Sequence, residues 1–193
     1  MNKLLNEIEI DNIKEFHLIA KEESDYEQVE KKFKLSENFI RNHHQNMDWA
    51  SISIYQKLSQ EFIREFQHKV NWCCISQYQI LTEGFMREFK DKINWSIVSH
   101  YQRLSEDFIR EFQDEVNWID ISIAQHLSEK FILEFKGEFS WYYISLYQEL
   151  SYKFIVSNIS KINIDNLYKN EKITLTLEEK KQIEKIISIK YMF

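Results

Sequence analysis

The stretch LSEDFIREFQDEVNWIDISIAQH, residues 104–126, is one copy of a pattern that runs along most of the chain. Its first residue returns every 23 residues, as Leu35, Leu58, Leu81, Leu104, Leu127 and Leu150. A phenylalanine four residues after each leucine, a tryptophan in the middle and a glutamine near the end keep the same period. Self-similarity at one fixed period is the signature of a repeat protein.

Each copy of the pattern predicts two short helices, named helix A and helix B here. In residues 104–126, Ser105 is a natural N-cap, and Phe108 and Phe112 then follow the spacing of a helix. Asn117 can cap helix B, in which Trp118 and the residues three, four and seven positions later form one stripe. A strand in place of helix B, as in leucine-rich repeats, is the rival interpretation, but this spacing favours a helix.

Helices this short are unstable alone, so their stability must come from stacking on neighbouring repeats. We therefore predict an all-α protein, an α-solenoid of short two-helix repeats with helical caps at both ends. Residues 1–34 are predicted to form an N-terminal cap with a degraded repeat, and residues 35–172 to form six repeats, the last one degenerate. Residues 173–193 are predicted to form a C-terminal capping helix, begun by a Thr176–Glu179 capping box. The prediction treats these parts as one continuous domain.

The composition excludes several classes of protein. Of the 193 residues, 44% are hydrophobic, which is too many for a disordered chain, and two glycines without any proline argue against a β-sandwich. A net charge of −6 argues against a dedicated nucleic-acid binder. Cys73 and Cys74 have no second pair, which indicates a reducing compartment. Without a signal-peptide core or a membrane-length apolar stretch, we expect a cytoplasmic protein that has no membrane partner.

The register L-S-E-x-F-I…N-W…I-S-x-Y-Q resembles the 23-residue repeats of uncharacterised proteins from giant viruses and bacteriophages. The likeness covers roughly residues 35–169 and departs at Ala124, where the other repeats have tyrosine, and at Gly84, Leu133 and Gly137 on helix A. The resemblance implies a viral or phage-related origin and interference with a host protein, in which case the cytoplasm is that of the host cell. It brings no catalytic residues.

The outward positions of helix A and helix B differ in chemistry. Those of helix A are mostly charged, and we interpret them as a solvated surface with Arg–Glu pairs between repeats. Those of helix B, counted one, two, five and eight residues after the tryptophan, are mainly apolar or aromatic and differ from repeat to repeat. Apolar surface of this kind marks an interface. The predicted protein-interaction face, called the helix-B face, comprises Ile54, Cys74, Gln77, Ile80, Ile97, His100, Arg103, Ile119, Asp120, Ile123, His126, Tyr142, Tyr143 and Leu146.

Residue types that could carry chemistry are better explained as structure. The serine and glutamine columns of helix B lie toward the core, where glutamine amides can hydrogen-bond between neighbouring repeats. The tryptophans share that stripe, which argues against stacking on nucleobases. The six histidines show no metal-ligand spacing, and nothing places a base beside one particular serine. We therefore predict no enzyme activity, no cofactor and no metal site.

Together with the resemblance, these features predict a non-enzymatic protein–protein interaction module. The sharper hypothesis is a phage or viral inhibitor that binds a host defence protein through the helix-B face, like an anti-CRISPR factor. Nucleic-acid binding is one alternative, although the negative net charge makes nucleic acid an unfavoured partner. A variant of this alternative is that the acidic helix-A surface mimics nucleic acid. A structural self-assembling module is the other alternative, in which the helix-B face packs on the chain's own terminal helix or forms a homodimer.

Overall fold

The computed structural model describes residues 9–10 and 31–190, and these are almost entirely helical. The chain divides into two compact units, Met1–Gln102 (unit 1) and Arg103–Phe193 (unit 2). In each unit the short helices return at the period of the sequence, two to a repeat, so the predicted all-α solenoid of two-helix repeats is confirmed. Helix B is a helix and not a strand. Most of the predicted N-terminal cap, residues 1–8 and 11–30, and the last three residues of the predicted C-terminal helix lie outside the described residues.

The described part of unit 1, residues 9–10 and 31–102, contains a short parallel ladder and three helix pairs. Strand β1, Glu9–Ile10, pairs with strand β2, Lys34–Leu35. The A helices are α1 (Glu37–His43), α3 (Gln60–Glu65) and α5 (Glu83–Glu88). The B helices are α2 (Trp49–Tyr55), α4 (Trp72–Tyr78) and α6 (Trp95–Tyr101). A 3-10 turn, His44–Asn46, joins α1 to α2.

Unit 2 contains three helix pairs and a longer terminal helix. The A helices are α7 (Glu106–Glu111), α9 (Glu129–Glu134) and α11 (Tyr152–Ser157). The B helices are α8 (Trp118–Ala124), α10 (Trp141–Tyr147) and α12 (Ile164–Lys169). Helix α13, Leu177–Lys190, follows as the predicted terminal helix. No helix among the described residues has both the length and the apolar character needed to cross a bilayer.

Side-chain caps fix where each helix begins. The serine or threonine before every A helix accepts a hydrogen bond from the amide of the phenylalanine three residues later, as in the 3.1 Å bond from the Phe108 amide to Ser105 Oγ. The cap of most B helices is asparagine, and Asn117 accepts from two amides of α8 in this way. Such caps satisfy amides that lack a partner within the helix. Each of the first five B helices ends where the following residue, glutamine in every repeat, turns to extended backbone.

The core of each repeat is one phenylalanine and its apolar neighbours. Phe62 and Ile63 on α3 and Ile75 on α4 are fully buried, and so are their counterparts in unit 2, such as Phe131 and Ile132. Burial of each such side chain stabilises the fold by about 1.5–3 kcal/mol. Because each A helix has only two turns, this burial against neighbouring repeats is what keeps it folded.

Within each unit a glutamine ladder ties a repeat to the previous one. The Gln79 Oε1 atom accepts from the Leu58 amide at 3.0 Å, and Gln79 Nε2 donates to the carbonyls of Ser53 at 2.9 Å and Gln56 at 2.8 Å. These carbonyls belong to the end of α2, where helical partners run out. Gln148 makes the same three bonds in unit 2. The predicted hydrogen bonding of buried glutamines between repeats is therefore confirmed.

The ladder ends at Asn170, which is one methylene shorter than glutamine. Its Nδ2 atom still donates to the Ser145 and Gln148 carbonyls, at 3.0 and 2.8 Å. Its Oδ1 atom instead accepts from the Lys172 amide at 2.9 Å. Asn170 thus gives the Leu150 amide no counterpart of the bond that Gln148 Oε1 accepts from the Leu127 amide. The chain then turns toward α13.

The tryptophans join successive repeats through their rings. Trp72 stacks on Phe85 of the next repeat with ring centroids 6.3 Å apart, and its Nε1 atom donates to the Gln67 carbonyl at 3.0 Å. The ammonium of Lys92 lies over the same ring, 5.7 Å from its centroid. The indole is half-buried rather than fully buried, because its ring sits at the seam between repeats. Its nitrogen and its ring both have partners within unit 1, which accounts for this tryptophan as part of the structure.

The helix-A surface carries the predicted charge pairs. Arg64 Nε donates to both carboxylate oxygens of Glu88 one repeat later, at 3.0 and 2.8 Å, and the Arg64 guanidinium lies over the Phe85 ring. Arg110 and Glu134 make the same pair in unit 2. These pairs lie at the surface, where solvent screens the charges, so they add little to the stability of the fold. The pairs align repeats more than they stabilise them.

The terminal helix begins at the predicted capping box. The Thr176 amide donates to the Glu179 carboxylate at 2.8 Å, and the Glu179 amide donates back to Thr176 Oγ1 at 3.2 Å. Ile183 is fully buried, and Tyr152 on α11 donates its hydroxyl to Gln182 at 2.6 Å. Helix α13 therefore closes the end of unit 2 with one apolar side.

Candidate protein-interaction face

In unit 1 the structure leaves every predicted residue of the helix-B face at least partly accessible. Ile80 is the most exposed, with 86% of its surface accessible. The others are half-buried, and they are Ile54, Cys74, Gln77, Ile97 and His100. Each lies two, five or eight positions after the tryptophan of its repeat, on the side away from the buried isoleucine and serine. The side chains are therefore available to a partner but supported by the repeat beneath them.

In unit 2 the face is more aromatic. Ile119 and Tyr142 occupy the same position of α8 and α10, and they are 51% and 52% exposed. The Tyr142 and Tyr143 rings meet edge to face with centroids 5.1 Å apart. Arg103 and His126 are exposed as well, and the half-buried members are Asp120, Ile123, Tyr143 and Leu146. None of the predicted residues is buried in the core of this unit.

The structure adds a column of tyrosines that the sequence argument did not assign to the surface. Tyr55, Tyr78 and Tyr101 each end a B helix of unit 1, and roughly half of each side chain is exposed. Tyr147 ends α10 in unit 2 and stacks on Tyr143 with centroids 6.3 Å apart. The signal was present in the sequence, because each tyrosine directly precedes the glutamine at which the helix stops. These tyrosines border the helix-B face.

Two grooves of similar size occur at the turn from helix B to the next helix A. The unit-1 groove, about 450 Å³, is lined by two successive turns, around residues 54–60 and 78–80. The unit-2 groove, about 520 Å³, is lined by residues 126–129 and 148–151 at the same register. The floor of each groove is a rung of the glutamine ladder, Gln79 in unit 1 and Gln148 in unit 2. The grooves share their framework and differ in the side chains at their rims.

Two kinds of group on the B helices that could carry chemistry are constrained by their surroundings. Burial, followed by the adjacent Cys73 and by Asp48, raises the pKa of Cys74 above its ordinary value, which makes its thiolate scarce at neutral pH. The serine column is occupied, since Ser53 Oγ donates to the Trp49 carbonyl at 2.7 Å and accepts from the Asn71 amide at 3.1 Å. Within residues 31–190, no cluster of His, Cys, Asp and Glu could hold a metal ion.

No known protein family matches the chain, and neither a curated protein sequence nor a solved structure is significantly similar to it. The resemblance to repeat proteins of giant viruses and bacteriophages therefore stays a prediction. What the chain binds has to be inferred from the chemistry of its own surface.

Proposed function

We propose that the chain is a non-enzymatic protein-binding module that holds another protein against its helix-B face. One observation carries the proposal: within each unit the buried columns are nearly invariant, while the accessible positions of helix B change chemistry from repeat to repeat. Ile54, Gln77 and His100 occupy one position of unit 1, for example, above the constant Ser53, Ser76 and Ser99. A scaffold alone has no need of such variation. A surface fitted to one partner does.

The apolar exposure supports a protein as that partner. Ile80 in unit 1 and Ile119 and Tyr142 in unit 2 leave much of their surface in water, at a cost that an interface would remove. The cluster of Tyr142, Tyr143 and Tyr147 is of the residue type that dominates binding energies at protein interfaces. The tryptophan rings on which nucleobases would stack already contact phenylalanine or lysine side chains inside the units, which disfavours the nucleic-acid alternative.

The finer proposal is an inhibitor of viral or phage origin that acts on a host defence protein in the cytoplasm. It is supported by the sequence resemblance and by the free thiols of Cys73 and Cys74, which suit a reducing compartment. The partner's identity follows from the binding experiment and not from the fold.

The test compares two variants of unit 2 by affinity capture from host lysate. Ile119→Glu combined with Tyr142→Glu places charges on the helix-B face, and we expect it to abolish capture of a specific partner. The matched control is Leu133→Glu on α9, because Leu133 is also an exposed apolar residue, 44% accessible, but lies on the helix-A surface. Ile119 and Tyr142 are each about half exposed, so charges at these positions reach the surface without disturbing the core.

Light scattering on the same three proteins separates partner binding from self-association. If the natural protein is a dimer and only the Ile119→Glu/Tyr142→Glu variant is a monomer, the face is an assembly surface. Equal capture by that variant and the natural protein would remove the helix-B face from the proposal.

A further inference from the structure

The tryptophan rings differ in the charge that the chain places beside them. In unit 2 the ammonium of Lys161 lies over the Trp141 ring, 5.0 Å from its centroid. This lysine comes twenty residues after the tryptophan, and two lysines of unit 1 lie over their tryptophans in the same register. The five residues at this position of the repeat are Lys69, Lys92, Glu115, Glu138 and Lys161. For Trp118 in unit 2 the residue in this register is therefore Glu138, a carboxylate instead of an ammonium.

The surroundings of Lys92 in unit 1 show how the chain holds an ammonium group beside an indole. Lys92 Nζ donates to Gln67 Oε1 at 2.6 Å. The same nitrogen lies 5.7 Å from the centroid of the Trp72 ring and 5.8 Å from the centroid of the Phe89 ring. An amide oxygen and two aromatic rings all attract a cation. Together they form a cation site that the chain fills with its own lysine.

The same amide and the same two rings recur in unit 2. The Trp118 and Phe135 ring centroids are 5.0 Å apart at 31°, and the corresponding rings of unit 1 are 5.0 Å apart at 32°. Trp118 Nε1 donates to the Gln113 carbonyl at 3.1 Å, and the corresponding bond of unit 1 measures 3.0 Å. The buried Phe139 also meets the indole edge to face, yet Trp118 remains half-buried with that ring in place. The groups that hold Lys92 in unit 1 are therefore present and partly accessible in unit 2.

Glu138 brings a counter-ion to this site. Its amide donates to the Phe135 carbonyl at 2.9 Å, and the Lys92 amide makes the same bond at 2.9 Å in unit 1, so both side chains start from the same backbone turn. Because glutamate is shorter than lysine, its carboxylate stops short of the place that the lysine ammonium takes. Glu138 is exposed, and among the described residues neither its carboxylate nor the Gln113 side chain has a hydrogen-bond or ion-pair partner. The site is complementary to a cation from outside the chain.

We propose, on the basis of the proposed function, that Trp118, Gln113 and Glu138 bind a lysine side chain of the partner protein. Its ammonium lies beside the rings as Lys92 does in unit 1, donates to Gln113 Oε1 and pairs with the Glu138 carboxylate. Lysine is selected because it is the cation that the chain itself places over three of its tryptophans, whereas arginine lies over phenylalanines of the A helices. Ile119, 51% exposed, directly follows Trp118, so the site adjoins the helix-B face.

The experiment titrates the isotope-labelled full chain with Nα-acetyl-lysine methylamide and follows the indole N–H signals by NMR. The norleucine derivative, which keeps the aliphatic chain without the ammonium, and the arginine derivative are the comparisons. We expect the lysine derivative to shift the Trp118 signal, to leave the Trp72 signal in place, and to bind at least about tenfold more tightly than the norleucine derivative and more tightly than the arginine derivative. No shift at Trp118, or equal affinity for either comparison compound, would overturn the proposal.

A reciprocal exchange of charge locates the site. Glu138→Lys supplies the chain's own ammonium, as in unit 1, and is expected to abolish the response of Trp118. Lys92→Glu is expected to give Trp72 the response that the natural protein shows at Trp118. Each substitution introduces a residue that other repeats carry at this position, so circular dichroism should show the fold unchanged. A Trp118 response that survives Glu138→Lys, or a Trp72 signal that does not respond in Lys92→Glu, would overturn the assignment.

The proposed function and this inference fail separately. If the Ile119→Glu/Tyr142→Glu variant loses its partner but the lysine derivative does not shift Trp118, the chain is a binding module without this site. If the shift depends on Glu138 while no partner depends on Ile119 and Tyr142, the site is assigned and the wider face is not. A partner captured by the natural protein should bind Glu138→Lys at least about tenfold more weakly, and unchanged affinity would show that its lysine does not occupy this site.

Discussion

Replacement of Gln79 by methionine tests what holds the repeats together. Methionine has nearly the length and volume of glutamine, so Gln79→Met removes the hydrogen bonds and leaves little empty space. Three backbone groups lose the hydrogen bond to Gln79, namely the Leu58 amide and the carbonyls of Ser53 and Gln56. Gln79 is 5% exposed, so water cannot readily replace the lost bonds.

The expected loss follows from those three groups. A buried polar group left without a partner costs about 1–3 kcal/mol, so the free energy of unfolding should fall by about 3 kcal/mol or more. That is a large part of the ~5–15 kcal/mol that stabilises a typical domain. Because a repeat protein is stabilised through contacts between neighbours, unit 1 should also become less cooperative.

The assay is denaturant unfolding followed by circular dichroism, with amide hydrogen exchange at Leu58 as a local readout. Gln77→Met is the matched control, since Gln77 lies on the same helix, outward and outside the ladder, and should change stability by less than about 0.5 kcal/mol. A loss below about 1 kcal/mol for Gln79→Met, or an equal loss in both variants, would refute the account of the glutamine ladder.

Three further substitutions test single features of the fold. In Asn170→Gln the longer side chain should accept a hydrogen bond from the Leu150 amide and raise the free energy of unfolding by about 1 kcal/mol. If denaturant unfolding shows no gain, the missing bond does not weaken the end of the ladder. Gly84→Ala should add about 0.5–1 kcal/mol, because an added methyl group meets open space on a helix, and a lower melting temperature would contradict this. Hydrogen bonds from the side chain and then the backbone of Ser51 lower the pKa of Asp48 below its usual value of 3.8. The ionised carboxylate therefore stabilises the fold fully above pH 3.8, and this stabilisation is lost as the pH falls through the lowered pKa. Asn does not titrate, so on acidification through that pKa the free energy of unfolding of Asp48→Asn should fall less than that of the natural protein. If the two plots of unfolding free energy against pH run parallel, the ionised Asp48 cap does not contribute as described.

The repeat pattern predicted the parts of this fold that depend on local chemistry. Ser105 and Asn117 were identified as caps because their side chains favour helix starts, and both accept the expected amide bonds. The capping box of Thr176 and Glu179 follows from the same logic. The core position of the glutamine column was also predictable, since a polar residue that recurs at a buried position needs a constant partner.

The exposed tyrosines and the two grooves were not predictable in the same way. On a helical wheel Tyr78 falls at the border between the buried stripe and the outward positions, so the wheel alone does not assign it to the surface. The helix ends at this residue, and Gln79 already has extended backbone. The grooves form where turns of successive repeats meet, which depends on how far apart the repeats stack and not on the sequence of either turn. The shortened rung at Asn170 was missed because it needs the position of Lys172.

The central claim, that the helix-B face binds another protein, is tested most directly by photo-crosslinking from inside cells. The crosslinking amino acid benzoylphenylalanine is placed at position 142 on the helix-B face or, as the control, at position 133 on the helix-A surface. The account predicts a covalent adduct with one other protein from position 142 and none from position 133. Adducts from position 142 only with a second copy of the chain, or the same adduct from both positions, would contradict it.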